Sequence, residues 1–556
     1  MTCSVAFVGA GPTTIYTLHS LLTERPAPFE LSLFEKQPSV GRGTPYRPGW
    51  NDPAMLSNIA SIEIPPLAAT MVEWLHGQSD ERLARLHIGR EDIDERTFYP
   101  RLVLGEYFSD QMQALLEDAA LQGIVVTVRT RCEVKDAVSG PEGMILRVRP
   151  ENGELFEARF DHVVLATGHQ WPEHPEVRPG YFASPWPASE IEKIPATRVG
   201  IRGSSLTAID AAVALAVAHG DFVETEDGDI AYMPGPDTGA FHMTMLSRKG
   251  LLPEADFYFP IPYEPLTVCT KEAIELLITS QDPSLLDHTF ELFKHELAEA
   301  DPAYAEQTGL ASLGLEDFCE GYFSQRLTSD PFVWARDNLA EAERNYENHH
   351  VVAWRYAILR MHEVVEGIVP HLSDEEFGRF SRYLKTVFVD DYATVPHESI
   401  QRMLALHRAG KLDVIAVGED YTIDTHSPRD GAILKQGTLE THFPVFIEAT
   451  GQRALAAKDF PFPSLRDQGI VRDVSAAAEG APTRGIAIDD QFHLVSAEVP
   501  IDQLFCLSLP FIMGRHPFVQ GITSSYELGQ IVAHELAAAI DRHCAPNDTA
   551  GELTIR

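Results

Sequence analysis

No run of about eighteen apolar residues, the length that crosses a bilayer, occurs in this chain; the most apolar stretch, Ala208 to Ala218, is broken by Asp210 and ends at a His-Gly pair. A membrane-spanning helix is therefore excluded. The amino terminus enters a strand-like run, Ser4 to Val8, without the charged region, apolar stretch and cleavage site of a secretory signal, so the expected address is cytoplasmic. Cysteine is scarce. Cys3, Cys132, Cys269, Cys319, Cys506 and Cys544 are scattered with no Cys-x2-Cys, no Cys-x4-Cys and no histidine at zinc spacing, which predicts neither a structural metal nor a local redox disulfide. Basic charge is short as well: 44 Lys and Arg face 82 Asp and Glu, for a net charge of −38. Such a chain lacks the cationic stripe that nucleic-acid phosphates or anionic lipid require, and neither is expected as a partner. With 44% hydrophobic residues over 556 positions, two to four folded domains of about 150 residues each are expected.

Periodicity organises the chain. Val5 to Gly11 is an apolar run ending in glycines; a helical segment, Thr13 to Glu24, and a second strand, Phe29 to Glu35, follow it, which makes a βαβ start. Gly123 to Thr130 and Gly143 to Val148 alternate as antiparallel strands do, before the apolar run His162 to Gly168. After a Pro-rich connector, Trp171 to Pro195, a second start appears: strand Val199 to Leu206, helix Thr207 to Ala218, a hairpin or loop over Asp221 to Gly239, and strand His242 to Ser247. Helical spacing fills about 271–409, and strands return at Val414 to Val417, Ile433 to Lys435 and Val445 to Thr450 before a last helix, Ser525 to Ile540. The fold class is α/β with two dinucleotide-binding, Rossmann-like domains and a helical insertion. The expected division is 1–195 and 430–556 for an FAD domain and 196–429 for an NADPH domain.

Three motifs carry chemistry. In Gly9-Ala10-Gly11-Pro12-Thr13-Thr14 the first glycine permits the tight turn, the second lets the backbone approach a pyrophosphate, and the helix start offers its N–H groups to that anion. Thr14 stands where a third glycine is usual, and Glu35, at the end of the next strand, takes ribose hydroxyls. The second, Gly203-Ser204-Ser205-Leu206-Thr207-Ala208, is degenerate, but Arg248 and Lys249 at the following strand end suit a 2′-phosphate and favour NADPH, the alternative being a solvated turn. The third is a pair of run-ends, Ala166-Thr167-Gly168 and Ala449-Thr450-Gly451, where small residues let a cofactor or a crossing segment approach.

These residues, with Val40-Gly41-Arg42-Gly43-Thr44-Pro45-Tyr46, the segment Leu56 to Pro66 that contains Asn58, Pro100-Arg101, Leu252 to Phe257, Trp354-Arg355-Tyr356 and Pro517-Phe518-Val519-Gln520-Gly521, resemble the bacterial FAD/NAD(P)-binding proteins of the YdhS type along nearly the whole chain. The resemblance implies a flavoprotein distantly similar to flavin-dependent N-monooxygenases, including the aspartate N-monooxygenases that form nitrosuccinate. It implies that FAD is reduced by NADPH and that O2, held as a flavin C4a-hydroperoxide, gives an oxygen atom to a nitrogen. It also adds Arg42, Gly43, Tyr46, Asn58, Gln520 and Gly521 to the cofactor-binding set. Glu448 and Gln452 depart from the Leu/Phe-Ala-Thr-Gly-Tyr motif of N-hydroxylases.

Of 22 histidines, His169, directly after the first Ala-Thr-Gly, is the catalytic candidate; the alternative is a hydrogen bond to the connector. Arg101, Arg355 and Arg360 are candidates for capturing a carboxylate substrate, the alternative being structural ion pairs. Three classes remain: an NADPH-dependent FAD monooxygenase acting on a small-molecule amine or amino acid with O2, an NAD(P)H:quinone or other acceptor reductase, and a non-catalytic flavin-binding redox sensor.

Overall fold

The computed structural model describes residues 2–172, 174–281, 283–475, 483–497, 499–519 and 521–545. The run Ser4–Val8 is almost wholly buried because it lies at the centre of a parallel sheet, covered on both faces. Glu30–Phe34 and then Val125–Arg129 lie on one side of it; His162–Leu165 and then Val499–Cys506 lie on the other, all parallel, and His493–Ser496 closes that edge antiparallel. Val5 sits opposite Leu31 and His162, so the strand ends come level where the glycine turn begins. Helix Pro12–Glu24 follows that turn with proline in its first turn, where the missing N–H would have been unpaired in any case. Val125–Arg129 is thus a parallel edge strand, not antiparallel as its alternation suggested. As the outermost strand of the sheet it leaves Val125, Val128 and Arg129 exposed, while Val126 and Thr127 are half-buried.

The second sheet repeats the plan. Arg198–Arg202 lies between His242–Ser247 and Val445–Glu448, with Leu412–Ala416 beyond the former and Tyr181–Phe182 beyond the latter, again parallel; Glu176–Arg178 is the antiparallel edge. Two strands therefore correct the expected division. Val445–Glu448 falls in the expected FAD segment 430–556 and Tyr181–Phe182 in the expected segment 1–195, but both pair within the second sheet. A hairpin, Gly220–Glu224 with Ile230–Pro234, occupies the polar stretch after helix Leu206–His219.

The helical region forms a third core around Leu286, Phe293, Met361, Phe380 and Phe388. Helices Pro331–Glu347 and His397–Arg408 instead send Phe332, Leu339, Ile400 and Met403 into the core of the second sheet. The insertion is thereby anchored to the domain it interrupts. Among the described residues no helix is long and apolar enough to cross a membrane.

Candidate functional site

Above the carboxyl end of the first sheet is a cleft of ≈ 520 Å³. Its floor is the glycine turn. Gly9 has φ +98, and a Cβ there would stand 2.2 Å from the carbonyl oxygen of Ala166, so only glycine fits. Gly9 N–H donates to Phe34 O at 2.9 Å, and Ala166 N–H to Val8 O at 2.9 Å, locking the three strand ends together. Glu35 is held with its carboxylate at the strand end: Oε2 accepts Ala10 N–H at 3.0 Å and Oε1 accepts Gln37 N–H at 2.9 Å. Thr14 is buried and its hydroxyl donates to Gly9 O at 2.7 Å, which explains a threonine at the third glycine position.

The residues that fit a dinucleotide pyrophosphate surround this floor. Gly11, Pro12, Thr13, Gly43 and Arg42 line the cleft. A Cβ on Gly11 would lie 3.0 Å from Gly43 Cα, and one on Gly43, at φ +65, would lie 2.7 Å from Pro12 Cδ, so the two loops touch through hydrogens alone. Helix Pro12–Glu24 has no side-chain cap, leaving its first N–H groups directed at the cleft. Arg42 Nη2 pairs with Glu106 at 2.7 Å, whereas its buried Nη1 has no hydrogen-bond partner among the described residues. An unpartnered buried guanidinium nitrogen on a residue that lines the cleft fits a negatively charged ligand bound there. Thr167 and Gly168 form the far wall, with Thr167 Oγ1 2.8 Å from Ser508 Oγ. Gly521, which precedes the uncapped helix Ile522–Cys544, and Tyr46 complete it.

The second unit has the same construction. Gly203 has φ +127 and a Cβ would stand 2.4 Å from Ala449 O; its N–H donates to Leu246 O at 2.8 Å, and Ala449 N–H donates to Arg202 O at 2.8 Å. Each Ala-Thr-Gly run is therefore the ledge on which one glycine turn rests. Ser204 Oγ donates to Leu251 O at 2.5 Å and lies within hydrogen-bond distance of Ser247 Oγ at 2.9 Å, fixing the turn to the next strand. Ser205 precedes the uncapped helix Leu206–His219, and Leu206 and Thr207 begin it half-buried. The two units meet: Gln170 N–H donates to Gln452 Oε1 at 2.9 Å, joining the residues just past both ledges. The carboxyl ends of the two sheets thus converge on one junction, where doubly wound folds place their ligands.

Comparison with known proteins agrees with this geometry. Residues 6–170 match the FAD-NAD(P)-binding family and residues 270–392 the YdhS-like middle domain. The uncharacterized protein YdhS of Escherichia coli (strain K12) is 41% identical over 538 residues, 97% of this chain and 98% of its own length. The chain belongs to the YdhS family. Among solved structures, the ornithine hydroxylase of Pseudomonas aeruginosa is 12% identical, with a TM-score of 0.51 covering 97% of this chain and 99% of its own. The FAD-bound cadaverine monooxygenase of desferrioxamine biosynthesis from Erwinia amylovora is 11% identical, with a TM-score of 0.50 covering 97% and 95%. That likeness is one of fold. The YdhS-family chain is an FAD- and NAD(P)-binding protein built like the N-hydroxylating flavin monooxygenases.

Three expected site residues are placed otherwise. Arg101 does not line the cleft: Nη2 pairs with Asp210 at 2.7 Å and Nε donates to Leu56 O at 3.1 Å. Arg355 is buried away from the cleft, 2.7 Å from Glu254 and stacked on Phe257. Asn58 is exposed and lines a narrow crevice with Arg101 and Asp210 rather than the large cleft. His169 does line the cleft, 6.4 Å from the parallel ring of Trp171. Burial and the nearby Arg101 charge lower its pKa to about 4, so it is a neutral hydrogen-bonding group and a poor base for an ammonium ion. Arg248 is exposed, 3.5 Å from Glu419, and available to a phosphate at the strand end. Lys249 has its ammonium 2.9 Å from the Phe323 ring centre, and desolvation there lowers its pKa to about 8. Gln520 lies outside the described residues. The sequence motifs contain Gly41 and Gly105 but assign them no role; their Cβ atoms would meet Ser109 Cα at 2.7 Å and Tyr46 O at 2.1 Å, so these glycines let the 41–46 loop settle on helix Arg101–Leu121.

Proposed function

We propose that this chain is an NADPH-dependent FAD monooxygenase that N-hydroxylates a small amine or amino acid, with O2 and that small molecule as its partners. The observation that supports it is the junction at Gln170 and Gln452, where a cradle for one dinucleotide and the matching turn for a second open toward each other. Bound FAD supplies the two-electron redox chemistry and the activation of oxygen. The protein's own residues do the rest. Gly11, Gly43 and Arg42 hold the pyrophosphate, Glu35 takes the ribose hydroxyls, and Arg248 takes the 2′-phosphate of NADPH. Trp50, Trp171, Pro461 and Phe462 line the cleft and exclude water from the reacting edge. His169, neutral at working pH, orients an amide or a carbonyl edge without adding charge. Cys132 is the one cysteine lining the cleft among the described residues, so no dithiol stands ready to relay electrons to a disulfide.

The reading is tested by electron accounting. NADPH consumed, O2 consumed and H2O2 released are measured together across a panel of amines that begins with aspartate. The expected result is one amine for which peroxide falls well below NADPH consumed and the product gains one oxygen atom. Complete recovery of the electrons as peroxide for every amine, with fast transfer to an added quinone, would make the protein a reductase.

A further inference from the structure

Three residues far apart in the chain meet beneath the first sheet, on the side away from the cleft. Cys3 is fully buried just before strand Ser4–Val8; Asp161 lies in the turn that leads into His162–Leu165; His543 is in the last turn of helix Ile522–Cys544. One ligand atom from each lies within 4.8 Å of the other two. We propose that Cys3, Asp161 and His543 form a binding site for a zinc-like divalent metal ion, with solvent in the fourth position.

A thiolate, an imidazole and a carboxylate are the donor types that zinc and cobalt take, whereas magnesium and calcium take oxygen alone. Metal–ligand bonds of about 2.0–2.3 Å in tetrahedral geometry set ligand atoms roughly 3.5 Å apart, so the three donors close on the ion by about an ångström. That adjustment is available to His543, which is half-buried at a helix end. Asp161 is already aimed. Its Oδ2 accepts from Ser4 N–H at 2.8 Å and from Ser4 Oγ at 2.7 Å, the kind of outer support that orients a ligating carboxylate. On binding, Cys3 releases its proton to solvent and the ion ties together the central strand, its neighbour and the closing helix. Helix Ile522–Cys544 begins at the FAD cleft with Gly521 and ends at this cluster. The metal therefore stabilises the same domain that holds the flavin, without touching the reaction.

The test is a Co2+ titration of the full-length, flavin-loaded, chelator-treated protein, followed by absorbance at wavelengths beyond the flavin's own bands. One equivalent of Co2+ is expected to produce an intense tetrahedral band that Zn2+ displaces, and Zn2+ is expected to raise the melting temperature. Cys3→Ala should abolish the band and His543→Ala should weaken Co2+ binding at least tenfold. If Cys3→Ala does not fold, His543→Ala at the half-buried helix end decides alone. No band at one equivalent, or binding that His543→Ala leaves within tenfold of wild type, would overturn the site.

Discussion

At the scale of single residues, Gly9 and Gly203 do the same job in two places, each turning the chain against a carbonyl oxygen that a methyl group would strike. They are expected to separate the two cofactors. Gly9→Ala should purify without flavin; Gly203→Ala should keep flavin but lose its reduction by NADPH, as read from flavin-to-protein ratio and anaerobic bleaching. Arg248→Ala should raise the KM for NADPH by about tenfold, the equivalent of about 1.4 kcal/mol, and leave that for NADH unchanged. Equal effects on both nucleotides would remove the 2′-phosphate role. The glycine turns were legible because their signal is local: strand, turn, helix and acidic strand end all lie within Val5 to Glu35. Arg101 and Arg355 were not. Their partners Asp210 and Glu254 lie about a hundred residues along the chain, and a sequence does not say which charge will pair. Asp210 was the missed signal, an acid alone in an alanine-rich apolar run, explained only by the guanidinium that meets it.

Between elements, that pair fastens helix Arg101–Leu121 of the first domain to helix Leu206–His219 of the second. Burial raises the pKa of Asp210 and Arg101 opposes the rise. Arg101→Ala would leave the carboxylate buried and unpaired, and is expected to cost about 3–5 kcal/mol in a denaturant titration. The double variant Arg101→Met, Asp210→Leu should recover most of that loss, because an apolar pair needs no desolvation of charge. If the single variant matches wild type, the pair does not hold the domains together. Periodicity identified the elements themselves well, since helix Leu206–His219 and strand Ser4–Val8 bury the residues their patterns mark. It misplaced Val445–Glu448, because a short strand buried on both faces carries no mark of which sheet it will join.

Across the whole molecule, the chain is two copies of one nucleotide-binding plan with a helical domain anchored on the second, and a carboxyl of the first lies in the field of a carboxylate of the second. Glu63 has its pKa raised to about 8, first by burial and then by the nearby Asp256 charge. A carboxyl raised in the folded state stabilises the fold while protonated and loses that contribution as the pH climbs toward about 8. Glu63→Gln should therefore melt with wild type at acidic pH and increasingly above it as the pH rises through that range. A melting difference independent of pH would contradict the assignment. None of this was readable from the sequence, since Glu63 and Asp256 come together only when the domains pack. A flavin reduced by NADPH in this cleft is proposed to use oxygen instead of merely losing electrons to it. The most direct measurement is to mix the anaerobically NADPH-reduced protein with oxygenated buffer in a stopped-flow spectrometer, with and without the amine panel. The oxidised-flavin spectrum is expected to return only after a lag that follows an oxygen-dependent first phase. A single-phase return under every condition, with peroxide released in full, would contradict it.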